Sequence, residues 1–182
     1  MNISRLLSVA PMMERTDRHC RYFFRLLSQQ TLLYSEMINA NAITKGNKTR
    51  LLNFSEIEHP LALQIGGSDP KLLAEATKIG VDWGYDEINL NVGCPSSRVS
   101  SGDFGAVLMK RKDHVAKCVD AMAQFSSNVP ISVKCRIAVD DQDPEKILPS
   151  FIKTVSNSGV SIFIIHARKA ILSGLSPKDN RK

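Results

Sequence analysis

Cys94 stands between Gly93 and Pro95, at the end of the run "INLNV". A thiol in that place has three uses. As a nucleophile it needs a neighbouring base that makes a thiolate. As a general acid it needs to stay protonated at neutral pH, as an ordinary cysteine does. As a packing residue it is a small hydrophobe, the role of most free cysteines. Placement at a rigid loop start favours a functional thiol. Gln64 ends "LALQIGG", and its amide offers both a donor and an acceptor to a heterocycle edge. The glycines after it let a flat ligand approach the backbone. Lys134 sits in "ISVKCRI", an otherwise buried strand pattern, where a lysine calls for an anion or an electron-rich heterocycle. His166, in "SIFIIHAR", could donate a hydrogen bond to a phosphate or a ring oxygen, or be a satisfied core histidine. Pro11, Met12 and Met13 form a rigid, polarisable stretch that suits the face of a flat ring or fills a core. Cys20, Cys118 and Cys135 fall inside helix or strand patterns and read as packing residues. No carboxylate pair, HExxH, GxSxG or kinase signature is present. His166 has no second ligand at metal spacing, so no metal is expected.

These residues recur at the ends of short apolar runs that alternate with amphipathic stretches. Strands are expected near 5–12, 31–37, 60–67, 85–93, 129–137 and 161–168. Helices follow each of the first five, and a loop is expected from Cys94 to about Gly105. Thr16 is a plausible N-cap for the first helix, with Cys20, Phe23, Phe24 and Leu27 on its apolar face. Asp69 and Pro70 open another helix, and Gly80 reads as its stop. Strict alternation with apolar strands implies a parallel sheet covered by helices. Polar residues gather at the strand carboxyl ends: Glu36, Gln64, Asn91, Lys134 with Arg136, and His166 with Arg168. That is where a TIM barrel keeps its active site. An open doubly wound sheet concentrates its chemistry at one crevice, and no GxGxxG or P-loop is found. The fold class expected is therefore α/β, a TIM (β/α)8-type barrel. It is incomplete at about six βα units, because a closed barrel has eight strands and about 250 residues.

The chain has 182 residues with a formal net charge of +6, 43% hydrophobic and 23% charged. That balance suits a globular domain and, weakly, a polyanionic partner such as nucleic acid. No apolar run reaches the roughly 18 residues of a membrane span, and the first residues lack the apolar core of a signal peptide. Four scattered cysteines without a C-x-x-C pair fit reduced thiols in the cytoplasm. Nothing in the pattern sets an oligomeric state.

The segments "SVAPMMERTDRHCRYFFRLLS", "LALQIGGSDP", "YDEINLNVGCPSSRV", "GDFGAVLM", "ISVKCRI" and "HARKAILSGLSPKDNR" together resemble the tRNA-dihydrouridine synthases. The likeness covers essentially the whole chain and is nearest the A subfamily, which acts on D-loop uridines. It implies a flavin-dependent TIM barrel followed by a small helical tRNA-binding domain. NADPH would reduce FMN, a hydride from the flavin would reach C6 of the uracil, and a cysteine would protonate C5. By motif that cysteine is Cys94, acting as a general acid. The resemblance assigns Pro11, Met12, Met13, Gln64, Lys134 and His166 to the flavin. It assigns Asn91 to the flavin and uridine, and Arg168, Lys169, Asn180 and Arg181 to the tRNA-contacting rim. Arg15 and Asp103 depart from the family pattern, where an aromatic and a basic residue are usual. The last barrel strands and the helical domain are expected to be absent, so residues 1–182 would be the N-terminal part of the barrel. Two alternatives are an inactive relic without flavin and another FMN barrel reductase of the dihydroorotate dehydrogenase kind. The runs "RTDRHCR" and "NVGCP" favour the synthase over the latter.

Overall fold

Period-two alternation within the strands, rather than uniform apolarity, organises the fold. The computed structural model describes residues 3–176 and 178–181, apart from the side chains at 97, 98 and 181. Its strands are β1 (Ser8–Val9), β2 (Leu32–Tyr34), β3 (Ile38–Asn39), β4 (Leu61–Gly66), β5 (Glu87–Val92), β6 (Ile131–Arg136) and β7 (Ile162–His166). They form one parallel sheet in the order β1-β2-β4-β5-β6-β7, and the two residues of β3 pair with the far end of β4. Six strands of a parallel barrel are thus present in chain order, alternating with helices. The expected incomplete TIM barrel is what forms.

The register divides the sheet into two faces. Tyr34, Ala62 and Glu87 lie on one rung, Gln64, Asn89 and Ser132 on the next, then Asn91 with Lys134, then Arg136 with His166. All share the inner, barrel face, because alternate residues of a strand point the same way. The intervening Leu63, Ile65, Ile88, Leu90, Val92, Val133 and Cys135 face outward into the main core. Helices cover that outer face: α4 (Pro70–Trp83) with Leu73, Ala76 and Gly80, α6 (Lys112–Ala123) with Val115, Val119 and Met122, and α7 (Pro144–Ser156) with Phe151 and Val155.

Four expectations are corrected. Gly80 does not stop α4, which continues to Gly84 in the left-handed region (φ 100°). Gly80 is instead a point of close approach, since a Cβ there would lie 2.7 Å from Leu63 and 2.8 Å from Ile88. The loop after Cys94 contains the short helix α5 (Ser97–Ser101) and a 3-10 turn over Gly105–Lys110. The first helix, α1 (Arg18–Leu27), is capped by Asp17, which accepts the Cys20 N–H at 2.9 Å, and not by Thr16. Nor does α1 bury its whole apolar face, although Phe24 packs against the core. Phe23 and Leu27 are exposed, while Arg21 and Arg25 are buried. Arg21 pairs with buried Glu58 at 2.6 Å, and Arg25 donates to the carbonyls of Ser28, Thr31, Glu58 and Pro60. Charged partners and unpaired carbonyls hold that face more firmly than apolar periodicity predicts. Two further helices, α2 (Ala40–Lys45) and α3 (Lys48–Leu52), lie on either side of Gly46.

Candidate active site

The sequence at the end of β5 dictates a tight turn. Asn91 turns its side-chain oxygen onto the backbone, accepting N–H groups from Gly93 at 3.1 Å and Cys94 at 3.0 Å. This Asx-type cap holds the thiol-bearing residue where the strand stops. From the other side the Cys94 carbonyl accepts the Ala106 N–H at 2.9 Å. That contact requires the backbone of Gly105 to pass very close. Its φ is +77°, and a Cβ would fall 2.6 Å from the Cys94 oxygen and 2.4 Å from Val99 Cγ1. Cys94 itself is half-buried, with Pro95 buried behind it.

Around this turn the inner-face residues assemble. Gln64 is 1% exposed and accepts the Asn91 side-chain N–H at 2.8 Å. Lys134 lies opposite Asn91 in register and is half-buried. Its side chain makes no hydrogen bond or ion pair with any other described residue. Burial lowers its affinity for a proton, and the neighbouring Arg136 cation adds to that. His166 is half-buried one strand further on, at the end of β7, opposite Arg136. Pro11 is half-buried and Met12 and Met13 are exposed after β1, so they share the carboxyl end of the sheet but lie at its other edge. Thr16 pins that segment by exchanging hydrogen bonds with the Met12 backbone.

Gln64, Asn91, Cys94 and Lys134 are therefore brought together on three adjacent strands, with His166 on the fourth. The expected rim residues are less uniform. Arg168 is exposed, and Lys169 is half-buried with its carbonyl held by Arg136 at 3.2 Å. Asn180 is buried, and its amide exchanges hydrogen bonds with Ile171 and donates to Ser176, so it shapes the loop. The side chain of Arg181 lies outside the described residues. Asp103, in a left-handed conformation (φ 58°), pairs with Arg111 at 2.6 Å.

Arg136, marked with Lys134 as a polar strand end but given no role by the sequence, belongs to the site. It is buried and donates to the carbonyls of Gly93 at 3.1 Å, Lys169 and Asn180 at 3.0 Å, tying the Cys94 turn to the loop after β7. Glu87, Asn89 and Ser132 were also missed. The signal for them was present in the polar residues at alternate positions 87, 89, 91 and 132, 134, 136. The other thiols are packed as expected in two cases. Burial pushes Cys118 up to about 11 and Cys135 up to about 12, which leaves both unreactive at neutral pH. Cys20 is half-buried on α1. Among the described residues no helix is long and apolar enough to cross a membrane, and no group of three His, Cys, Asp or Glu could hold a metal.

A parallel half-barrel with a thiol, a lysine and two inward amides at its carboxyl mouth defines the class: a (β/α)-barrel whose chemistry sits at the strand ends. Within that class, residues 8–182 match the family model described as dihydrouridine synthase, and the chain belongs to that family. It is 61% identical over 175 residues to the tRNA-dihydrouridine(20/20a) synthase of Synechocystis sp., covering 96% of this chain and 52% of that protein. Against the protein of the same name from Xanthomonas campestris the identity is 55% over 176 residues, covering 97% and 52%. The Escherichia coli counterpart is 60% identical over 176 residues, covering 96% and 50%. The chain thus spans about half the length of the curated relatives it matches.

Proposed function

We propose that this chain forms the flavin-facing, N-terminal part of a tRNA-dihydrouridine synthase. It would reduce uridine to 5,6-dihydrouridine in the tRNA D-loop. The observation that carries the reading is the placement of Cys94, fixed by Asn91 at the barrel mouth beside the half-buried Lys134.

The residues present fit FMN. Lys134 is a half-buried cation with no anionic partner among the described residues, and an electron-rich ring or an anion would relieve it. Gln64 and His166, with Pro11, Met12 and Met13, are the other residues that would hold the cofactor. Bound FMN, reduced by NADPH, would supply the hydride that adds to C6 of the uracil. Cys94 gives its Sγ proton to C5, so the C5–C6 double bond gains one hydride and one proton. The Cys94 side chain lies near Lys134, and its charge when deprotonated favours the ammonium form of the lysine. Asn91 holds the Cys94 backbone still while the proton moves. The target uridine has to leave its stack to reach this mouth. The net charge of +6 favours the phosphate backbone around it. Arg168, Lys169 and Arg181 are the rim cations proposed for that contact. Polypeptide beyond these residues would close the barrel between β1 and β7 and add a tRNA-binding domain. A tRNA substrate fits a cytoplasmic protein.

The test is direct. The purified protein is expected to take up FMN with a visible absorbance band that bleaches on adding NADPH. Cys94→Ala should keep that band and lose dihydrouridine formation on unmodified tRNA. A protein that binds no FMN would overturn the cofactor assignment. A fully active Cys94→Ala variant would overturn the proton-donor assignment.

A further inference from the structure

The Asn91 oxygen can cap Cys94 only if its amide is turned the right way, and an amide has two ends of nearly equal shape. What turns it is visible inside the barrel. Asn91 Nδ2 donates to Gln64 Oε1 at 2.8 Å, Gln64 Nε2 donates to Asn89 Oδ1 at 2.7 Å, and Asn89 Nδ2 donates to Ser132 Oγ at 2.7 Å. The Ser132 hydroxyl in turn donates to Glu87 Oε1 at 2.5 Å. Every donor points the same way, from the mouth towards the floor. The chain ends on Glu87, which is fully buried and also receives Arg5 at 2.5 Å and the Tyr34 hydroxyl at 3.1 Å.

We propose that Glu87, Ser132 and Asn89 are positioning residues, a directional relay that sets the amide of Asn91 so that its oxygen caps Cys94. An ionised carboxylate only accepts, and the arginine beside it only donates. Ser132 has one hydroxyl proton, and it is committed to Glu87. Ser132 therefore meets Asn89 as an acceptor, and the Asn89 oxygen is left facing Gln64. The same step repeats at Gln64, and Asn91 presents its oxygen to Gly93 and Cys94. A relay of flexible amides thus takes its sense from one buried charge, two rungs below Asn91. Its importance for catalysis rests on reading Cys94 as the proton donor. The relay itself does not depend on that reading.

Backbone amide exchange, followed by NMR on the isotope-labelled protein without FMN or tRNA, tests it. Ser132→Ala cuts the relay and is expected to speed exchange at Gly93 and Cys94 by roughly tenfold, the scale of one lost hydrogen bond. The neighbouring β5 amides of Ile88 and Leu90 should change far less. Ser132→Thr keeps the hydroxyl and should restore protection. Tyr34→Phe removes a different hydrogen bond from Glu87, leaves the relay's sense intact and should leave Gly93 and Cys94 protected. Asn91→Asp gives the decisive arm. A carboxylate accepts whichever way it turns, so adding Ser132→Ala to it should no longer affect the two amides. If Ser132→Ala still exposes them in the Asn91→Asp background, or if Tyr34→Phe exposes them equally, the effect travels through packing and the relay is wrong. Failure to bind FMN would sink the proposed function and leave this result standing.

Discussion

Two arginine–glutamate pairs in this molecule, each with a buried carboxylate, do different work. Beneath α1, Arg21 grips Glu58 while Arg25 gathers four backbone carbonyls. On the barrel floor, Arg5 grips Glu87, and beyond it the hydrogen bonds run through side chains to the mouth. Backbone carbonyls have one orientation, so the α1 cluster can only anchor. Side-chain amides can flip, so the floor cluster can select among orientations. A buried charge acts as a clamp or as a pointer according to what its neighbours are free to do.

The largest expected effect tests the clamp. Glu58→Ala leaves Arg21 buried without its carboxylate and should lower unfolding free energy by about 3–5 kcal/mol in a urea titration. A loss below about 1 kcal/mol would class the pair with surface ion pairs and dissolve the comparison. Arg25→Met keeps the aliphatic bulk and strands four carbonyls, with an expected loss of about 2–3 kcal/mol. Alkylation of Cys94 at neutral pH should be unchanged in that variant, because the two clusters share no residue. Gly105→Ala should cost about 1–3 kcal/mol from its left-handed backbone and the contact with the Cys94 carbonyl. Unlike Arg25→Met, it should also change the Cys94 alkylation rate. Equal rates in the two variants would mean that the Cys94 turn is not held from that side.

The smallest effect belongs to Lys134, a half-buried cation with no partner of either kind among the described residues. Its proton affinity is lowered in the folded state, so the unfolded chain holds that proton to higher pH. Folding therefore carries a penalty at neutral pH that is relieved as pH rises from the lowered value towards about 10.5, the ordinary lysine value. Lys134→Met should flatten that rise in urea titrations across alkaline pH and leave stability at neutral pH unchanged or slightly higher. It should also weaken FMN uptake. A variant with the same alkaline slope as the parent would show that Lys134 is ordinarily solvated.

Much of this was legible in the chain. The alternation of apolar runs with capped helices gave the parallel sheet and its chain order. The position of Cys94, Gln64, Lys134 and His166 at run ends gave the site's address. What misled was periodicity read without partners. The apolar stripe of α1 predicted its buried face, yet Glu58 and the carbonyls of Thr31 and Pro60, all beyond the helix, claim the arginines instead. The resemblance assigned Asn180 to the tRNA-contacting rim, and only the folded loop shows its amide bonded to Ile171 and Ser176.

The sequence by itself determined which residues alternate along each strand, because that follows from local geometry with a period of two. It thereby fixed that Glu87, Asn89 and Asn91 share one face, and that Cys94 follows a strand end. Tertiary structure alone decided that Ser132 and Gln64 would stand beside Asn89, because register between strands depends on how the helices pack the outer face. The direction of the amides was decided there too. It depends on a carboxylate brought into contact across strands, and nothing within a single strand specifies it.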